Sequence, residues 1–285
     1  MDIHFYKYHG LGNDYIIINI DENKLPDNFR TKSLLARKLC QRHFSIGSDG
    51  ILFAQSPTSD QFDYQMQIFN PDGSEAEMCG NGIRMFVKYL YTHNIKKKKY
   101  YKIETKAGLI VPELLFENGE IVGIKVNMGT PRLLRSQIPM IGPEGKVINE
   151  EFIVDNEVVH ITCVNMGNPH CIVFVDDINE IDINLGRKIE IDKKFPDRIN
   201  VEFVQILNKK EIKIRVWERG VGETLACGTG ACASVVAAIL NSKIENKAIV
   251  HLKGGELEIF WENRTDVYMT GPAEEVFEGT IHIII

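Results

Sequence analysis

Cys79 and Cys227 occupy the same short phrase, Met78-Cys79-Gly80-Asn81-Gly82 and Ala226-Cys227-Gly228-Thr229-Gly230, each with a glutamate four residues upstream (Glu75, Glu223). An apolar stretch of helical spacing follows each cysteine. Two thiols presented by one repeated turn suit a reaction that takes a proton from one face of a carbon and returns one to the other. The glycines at 80, 82, 228 and 230 leave bare backbone at the start of each helix, where unpaired N–H groups and the positive end of the dipole admit an anion. Such a terminus also lowers the pKa of a neighbouring thiol. One copy alone reads equally well as a tight turn with a structural cysteine; two copies favour a site.

The repetition reaches beyond the thiols. Gly12-Asn13-Asp14-Tyr15 parallels Gly167-Asn168-Pro169-His170, Leu35-Ala36-Arg37-Lys38 parallels Leu185-Gly186-Arg187-Lys188, and Met66–Asn70 parallels Ile214–Glu218. The offsets are 155, 150 and 148, with 148 again at the cysteines. Collinear echoes at a nearly constant offset indicate two homologous halves and not a short-period solenoid. The expected division is 1–129 carrying Cys79, completed by a C-terminal strand over 274–285, and 130–273 carrying Cys227, with Thr130-Pro131 as the crossover.

Alternating apolar and polar residues predict strands over 3–7, 15–20, 50–55, 62–69, 101–105, 109–115 and 121–127. The second half supplies 158–164, 170–175, 201–207, 211–217, 248–253, 255–261, 266–270 and 278–285. Helices are expected at about 32–41, 82–92 and 230–241, with short pieces near 178–182. The stretches after both cysteines are apolar nearly all round, the mark of a buried helix. The implied class is α+β: two pseudo-symmetric halves, each a curved, mainly antiparallel sheet or barrel wrapped around a central helix. Glu117–Glu120 and Trp261–Arg264 look like corresponding hairpin turns.

Bulk properties narrow the function. The 285 residues are 44% hydrophobic and 25% charged, ordinary for a globular chain with room for two cores. A net charge of −6 argues against a nucleic-acid partner. The one cationic run, Lys96–Lys99, reads as a solvated connection after a helix. Neither a signal segment nor an uninterrupted apolar stretch of membrane-spanning length is visible, so no membrane partner is expected. Six dispersed cysteines suit a reducing, cytoplasmic setting with free thiols. Zinc wants clustered ligands such as Cys-x-x-Cys; no such pair occurs, and no metal site is expected.

The phrases Asn70–Arg84, His9–Asp14, Met166–His170 and Glu218–Gly230 together resemble the signature of the diaminopimelate epimerase family, over essentially the whole chain. What the resemblance implies is an isomerase of lysine and peptidoglycan precursor biosynthesis. Such an enzyme interconverts LL- and meso-2,6-diaminopimelate without a cofactor, pyridoxal phosphate included, and is a homodimer. By the resemblance, Cys79 accepts the proton and Cys227 donates one in one direction, across a shared cleft. Asn13, Asn70, Gly80, Asn81, Asn168, Asn200, Glu218, Arg219, Gly228 and Thr229 are implied to bind substrate, while His170 and Glu218 support the thiols. His170 reads also as a packed histidine opening a strand. Cys40, Cys163, Cys171 and Cys232 read as core.

Two positions depart from the family pattern: Gly50 stands where many relatives carry a glutamine, and Met85 where they often have a further cysteine. Three other readings stay open at this point. They are a racemase of the proline or hydroxyproline type, a thiol redox or metal-binding protein, and a scaffolding module.

Overall fold

The computed structural model describes residues 1–77, 79–155, 157–262 and 265–283. Met78 of the first cysteine phrase, Asn263 and Arg264 of the second expected hairpin turn, and the last two residues of the expected C-terminal strand lie outside the described residues. The chain divides into two compact units, Met1–Val126 with Gly271–Ile285, and Asn127–Thr270.

In the first unit the elements run β1 (Asp2–Gly10), β2 (Asn13–Asn19), α1 (Ile20–Asn23), α2 (Phe29–Leu39), β3 (Gly50–Gln55), β4 (Tyr64–Phe69), β5 (Glu75–Ala76), α3 (Gly80–Thr92), β6 (Ile103–Thr105), β7 (Gly108–Ile110), β8 (Glu113–Glu117) and β9 (Glu120–Asn127). The second contains β10 (Glu150–Val154), β11 (Glu157–Asn165), β12 (Pro169–Phe174), α4 (Leu185–Glu190), β13 (Asn200–Asn208), β14 (Glu211–Glu218), β15 (Gly222–Thr224), α5 (Gly228–Leu240), β16 (Lys247–Leu252), β17 (Gly255–Trp261) and β18 (Val267–Gly271). The chain then closes with β19 (Glu274–His282), antiparallel to β1.

The two units repeat one topology. In the first, β1 and β2 are antiparallel, β2 and β3 parallel, β3 and β4 antiparallel, β4 and β6 parallel, and β6 and β7 antiparallel, with β5 hung on β4. The same sequence of senses runs through β11, β12, β13, β14, β16 and β17, with β15 hung on β14. Registers match too: Tyr15 pairs with Gly50 where His170 pairs with Asn200, and Phe69 with Ile51 where Trp217 pairs with Val201.

Each sheet bends around one helix. α3 touches β1, β2, β3, β4 and β19, while α5 touches β11, β12, β13, β14, β16 and β17. A helix serving five or six neighbours has no solvent face, which is why nearly every residue of α5 from Gly230 to Ala238 is fully buried. Its small side chains (Ala231, Ala233, Ala237, Ala238) let strands approach from all sides. Both sheets are open strand orders among the described residues, so the curved-sheet expectation stands and the barrel alternative does not.

Local differences from the sequence expectation have local causes. The single strand expected over 109–115 is two, β7 and β8, because Pro112 between them has no N–H to give a ladder. The helix expected near 178–182 lies further on as α4, and residues 178–182 form turns. Asn118 and Gly119, both at positive φ, make the β8–β9 hairpin turn. The lysine run is solvated but paired: Lys96 and Lys98 reach Asp63, and Lys99 reaches Glu113. No helix is long and apolar enough to cross a membrane among the described residues.

Candidate active site

Each cysteine of the repeated phrase is the N-cap of its helix. Cys79 has extended backbone and its sulfur accepts the Gly82 N–H at 3.3 Å; Cys227 does the same with Gly230 at 3.4 Å. A sulfur thus takes the part that a serine or aspartate oxygen usually plays at a helix start. The upstream glutamates also match. Glu75 in β5 pairs with Lys106, and Glu223 in β15 pairs with Lys253 and Arg215, pinning the short strand that leads into each cysteine.

Around Cys79 the groups are neutral amides and a phenol. Asn13 Oδ1 lies 4.0 Å from the sulfur and accepts from Asn81 Nδ2 at 3.1 Å, while Asn13 Nδ2 donates to Asp49 at 2.8 Å. Asn81 is buried and its Oδ1 has no partner among the described residues. A buried acceptor left open is rare enough to suit a ligand's donor. Burial first, then the nearby Cys79 thiol, push the Tyr15 phenol well above its ordinary pKa.

Around Cys227 the groups are ionisable and deeper. His170 and Glu202 are both fully buried, with His170 Nδ1 2.7 Å from Glu202 Oε1 and His170 Nε2 3.0 Å from Asn168 Oδ1. Thr229 Oγ1 sits 3.4 Å from the Cys227 sulfur. The expectation that the helix terminus lowers the thiol pKa fails here. Burial, followed by the Glu218 and Glu202 carboxylates, raises Cys227 well above a normal thiol, and the Thr229 hydroxyl and Gly230 N–H offset only part of this. Desolvating an anion costs more than one aligned N–H returns.

The loop after β14 carries Glu218 and Arg219. Glu218 accepts from Thr224 Oγ1 at 2.6 Å. Arg219 Nη1 donates to the Asp197 carbonyl, and its backbone N–H donates to Asn200 Oδ1, both at 2.9 Å. Asn200 Nδ2 meanwhile donates to the Pro169 carbonyl, so this amide also ties β12 to the loop after β14. Asn70 Nδ2 donates to Ser74 Oγ within its own Pro71-Asp72-Gly73 turn. Gly80 and Gly228 open α3 and α5 as expected. The four remaining cysteines are all buried.

Three residues escaped the sequence reading. Glu202 reads as the polar position of an alternating strand, and Glu190 lies outside every expected helix and strand. Glu190 is in fact buried, accepting from Trp217 Nε1 at 2.7 Å and the Gly220 N–H at 2.9 Å, and so braces the Glu218–Arg219 loop. Tyr15 carried a signal that went unused: it is the residue that the internal repeat aligns with His170.

The sequence profile of the diaminopimelate epimerase family matches residues 5–134 and 162–276. The chain belongs to the diaminopimelate epimerase family. Curated relatives within that family include diaminopimelate epimerases of Pelotomaculum thermopropionicum, 51% identical over 97% of this chain and 98% of that one, and of Halothermothrix orenii, 51% identical over 99% of both. Solved structures share the fold at lower identity. A Bacillus anthracis phenazine biosynthesis protein of the PhzF family superimposes with a TM-score of 0.69 at 19% identity, covering 99% of this chain and 100% of that one. A hydroxyproline epimerase from Agrobacterium vitis gives 0.68 at 11%, covering 98% and 92%.

Proposed function

We propose that this chain interconverts LL- and meso-2,6-diaminopimelate by a two-thiol mechanism. Family membership makes it an isomerase of the epimerase type. The observation that carries the mechanism is one construction made twice, a cysteine N-cap whose sulfur is held by the third N–H of a buried helix.

The α-proton of an amino acid is a very weak acid, so its removal needs a strong local field. In one direction the Cys79 thiolate takes that proton from one face, leaving the electron pair on the α-carbon. The Cys227 thiol then gives its proton to the opposite face and becomes the thiolate. In the other direction the parts exchange. The raised Cys227 fits a group that enters as neutral thiol. The N–H groups at the starts of α3 and α5 would hold the reacting carboxylate, whose charge grows as the carbanion forms. Asn81 Oδ1 is open to an ammonium donor, and Arg219 and Glu218 would recognise polar groups of the distal amino-acid centre. We also propose that the protein works as a homodimer in the cytoplasm, in lysine and peptidoglycan precursor synthesis, with neither metal nor organic cofactor.

The test is incubation with LL-diaminopimelate in deuterium oxide. Solvent deuterium should enter the α-carbon as the meso isomer forms, and Cys79→Ala and Cys227→Ala should each abolish epimerisation. A Cys79→Ala protein that interconverts the isomers at the normal rate would rule the mechanism out. The same assay with proline and hydroxyproline separates this reading from its racemase rival.

A further inference from the structure

The duplication sharpens one comparison. Asn13 and Asn168 are equivalent amides of the two halves, each following a glycine where β2 or β12 begins. They are held in opposite senses. Asn13 Nδ2 donates to Asp49 at 2.8 Å, so its Oδ1 faces Asn81 Nδ2 and the Cys79 sulfur. Asn168 Oδ1 instead meets His170 Nε2 at 3.0 Å, and the Nδ2 of this half-buried residue has no partner among the described residues. Behind the ring, His170 Nδ1 lies 2.7 Å from Glu202 Oε1, with both side chains fully buried. Space for the carboxylate is built in, since a Cβ on Gly230 would stand 2.5 Å from Glu202 Oε1. The first half has no such relay: Leu52 faces Ile17 in β2 as Glu202 faces Ile172 in β12.

We propose that Glu202 is a positioning residue for substrate binding: through His170 it fixes Asn168 with its oxygen inward and its NH2 group outward, as a donor to a substrate carboxylate and not an acceptor for an ammonium. The inference rests on the reading of the site as one for an amino acid and deepens it. Proton accounting carries it. Among the described residues no lysine or arginine pairs with Glu202, and its Oε2 has no partner. An anionic Glu202 beside a neutral ring would therefore bury a charge offset by only the half-charge of the α5 start, which burial penalises heavily. Two arrangements avoid this. In the ion pair both ring nitrogens carry protons; in the neutral pair Glu202 Oε1–H donates to Nδ1 and the ring proton stays on Nε2. An acid proton on Oε2 would be a buried hydroxyl without an acceptor. Nε2 carries a proton in either arrangement, so the Asn168 atom that it meets is the oxygen.

The test reads the ring and the binding step separately. In the full chain with nitrogen-15-labelled histidine, the His170 signals, identified by their loss in His170→Gln, should show a protonated Nε2 near neutral pH. An unprotonated Nε2 overturns the proposal, and this readout needs no activity and no variant of Glu202. Glu202→Leu, which installs the side chain of the first half, should unlock the ring and shift that signal. It should also raise KM for LL-diaminopimelate roughly tenfold, the loss of one hydrogen bond to a charged group. On an Asn168→Ala background the same change should raise KM no further, whereas an undiminished effect there would mean that Glu202 acts by another route. Asn168→Asp keeps an acceptor for Nε2–H but offers no outward donor, so its KM should rise by a similar factor; a KM equal to the parent's overturns the donor role. Normal epimerisation by Cys79→Ala would remove the two-thiol mechanism and leave the histidine spectrum untouched, so the two failures are distinct.

Discussion

Gly50→Ala adds a single methyl group where the structure leaves no room for one. An ideal Cβ would stand 2.6 Å from Tyr15 Cε1 and 2.7 Å from the Phe69 carbonyl oxygen. Ordinary contact begins near 3.4 Å, so something must yield by about 0.7–0.8 Å. Neither neighbour is a loose end. The carbonyl belongs to β4, whose Phe69 pairs with Ile51 beside the glycine, and the ring is buried. Overpacking of this kind costs about 1–3 kcal/mol, and two rigid contacts place it toward the upper end. At roughly 2–4 °C per kcal/mol, the thermal midpoint should fall by about 4–12 °C. Differential scanning fluorimetry reads the effect. A midpoint within about 1 °C of the parent would refute the claim that glycine is needed here to seat the ring.

Glu190→Ala should leave the part-buried Trp217 Nε1–H and the Gly220 N–H without their acceptor, a loss of about 1–2 kcal/mol in urea unfolding. KM should rise with it, since the loop bearing Glu218 and Arg219 is no longer braced; an unaltered KM would separate Glu190 from substrate recognition. Stability should also fall in mild alkali. The Cys227 thiol is raised in the folded state, by burial first, so its proton is held after the unfolded chain has begun to release its own. The contribution is full below the unfolded value of about 8.5 and is lost as pH rises toward the folded one. Thermal midpoints across this range should decline less steeply in Cys227→Ser, and equal slopes would show that the thiol is not the group responsible.

Much of this was legible from residue order because it depends on local rules. The all-round apolar stretches after Cys79 and Cys227 could only be buried helices, and the repeated Gly-Asn and Cys-Gly phrases exposed the duplication that both units display in strand sense and register. What escaped reading was set by partners distant in the chain. Asn200 ties β12 to the loop after β14, donating to the Pro169 carbonyl and accepting from the Arg219 N–H. Glu202 looked like a solvent-side position of an alternating strand, yet that face of β13 lies against α5 and is as buried as the other. Pro112 was the exception, a local break visible in the sequence and passed over.

The amino-acid order by itself determined the family, the duplication, the two thiols and their place at helix starts, since each follows from short phrases and spacings. Tertiary structure decided how those thiols differ. Burial beside Glu218 and Glu202 raises Cys227, while Cys79 sits half-buried beside the Asn13 amide. Ionisation depends on solvent exclusion and on charges brought near by folding, and neither is written in the residues adjacent to a cysteine.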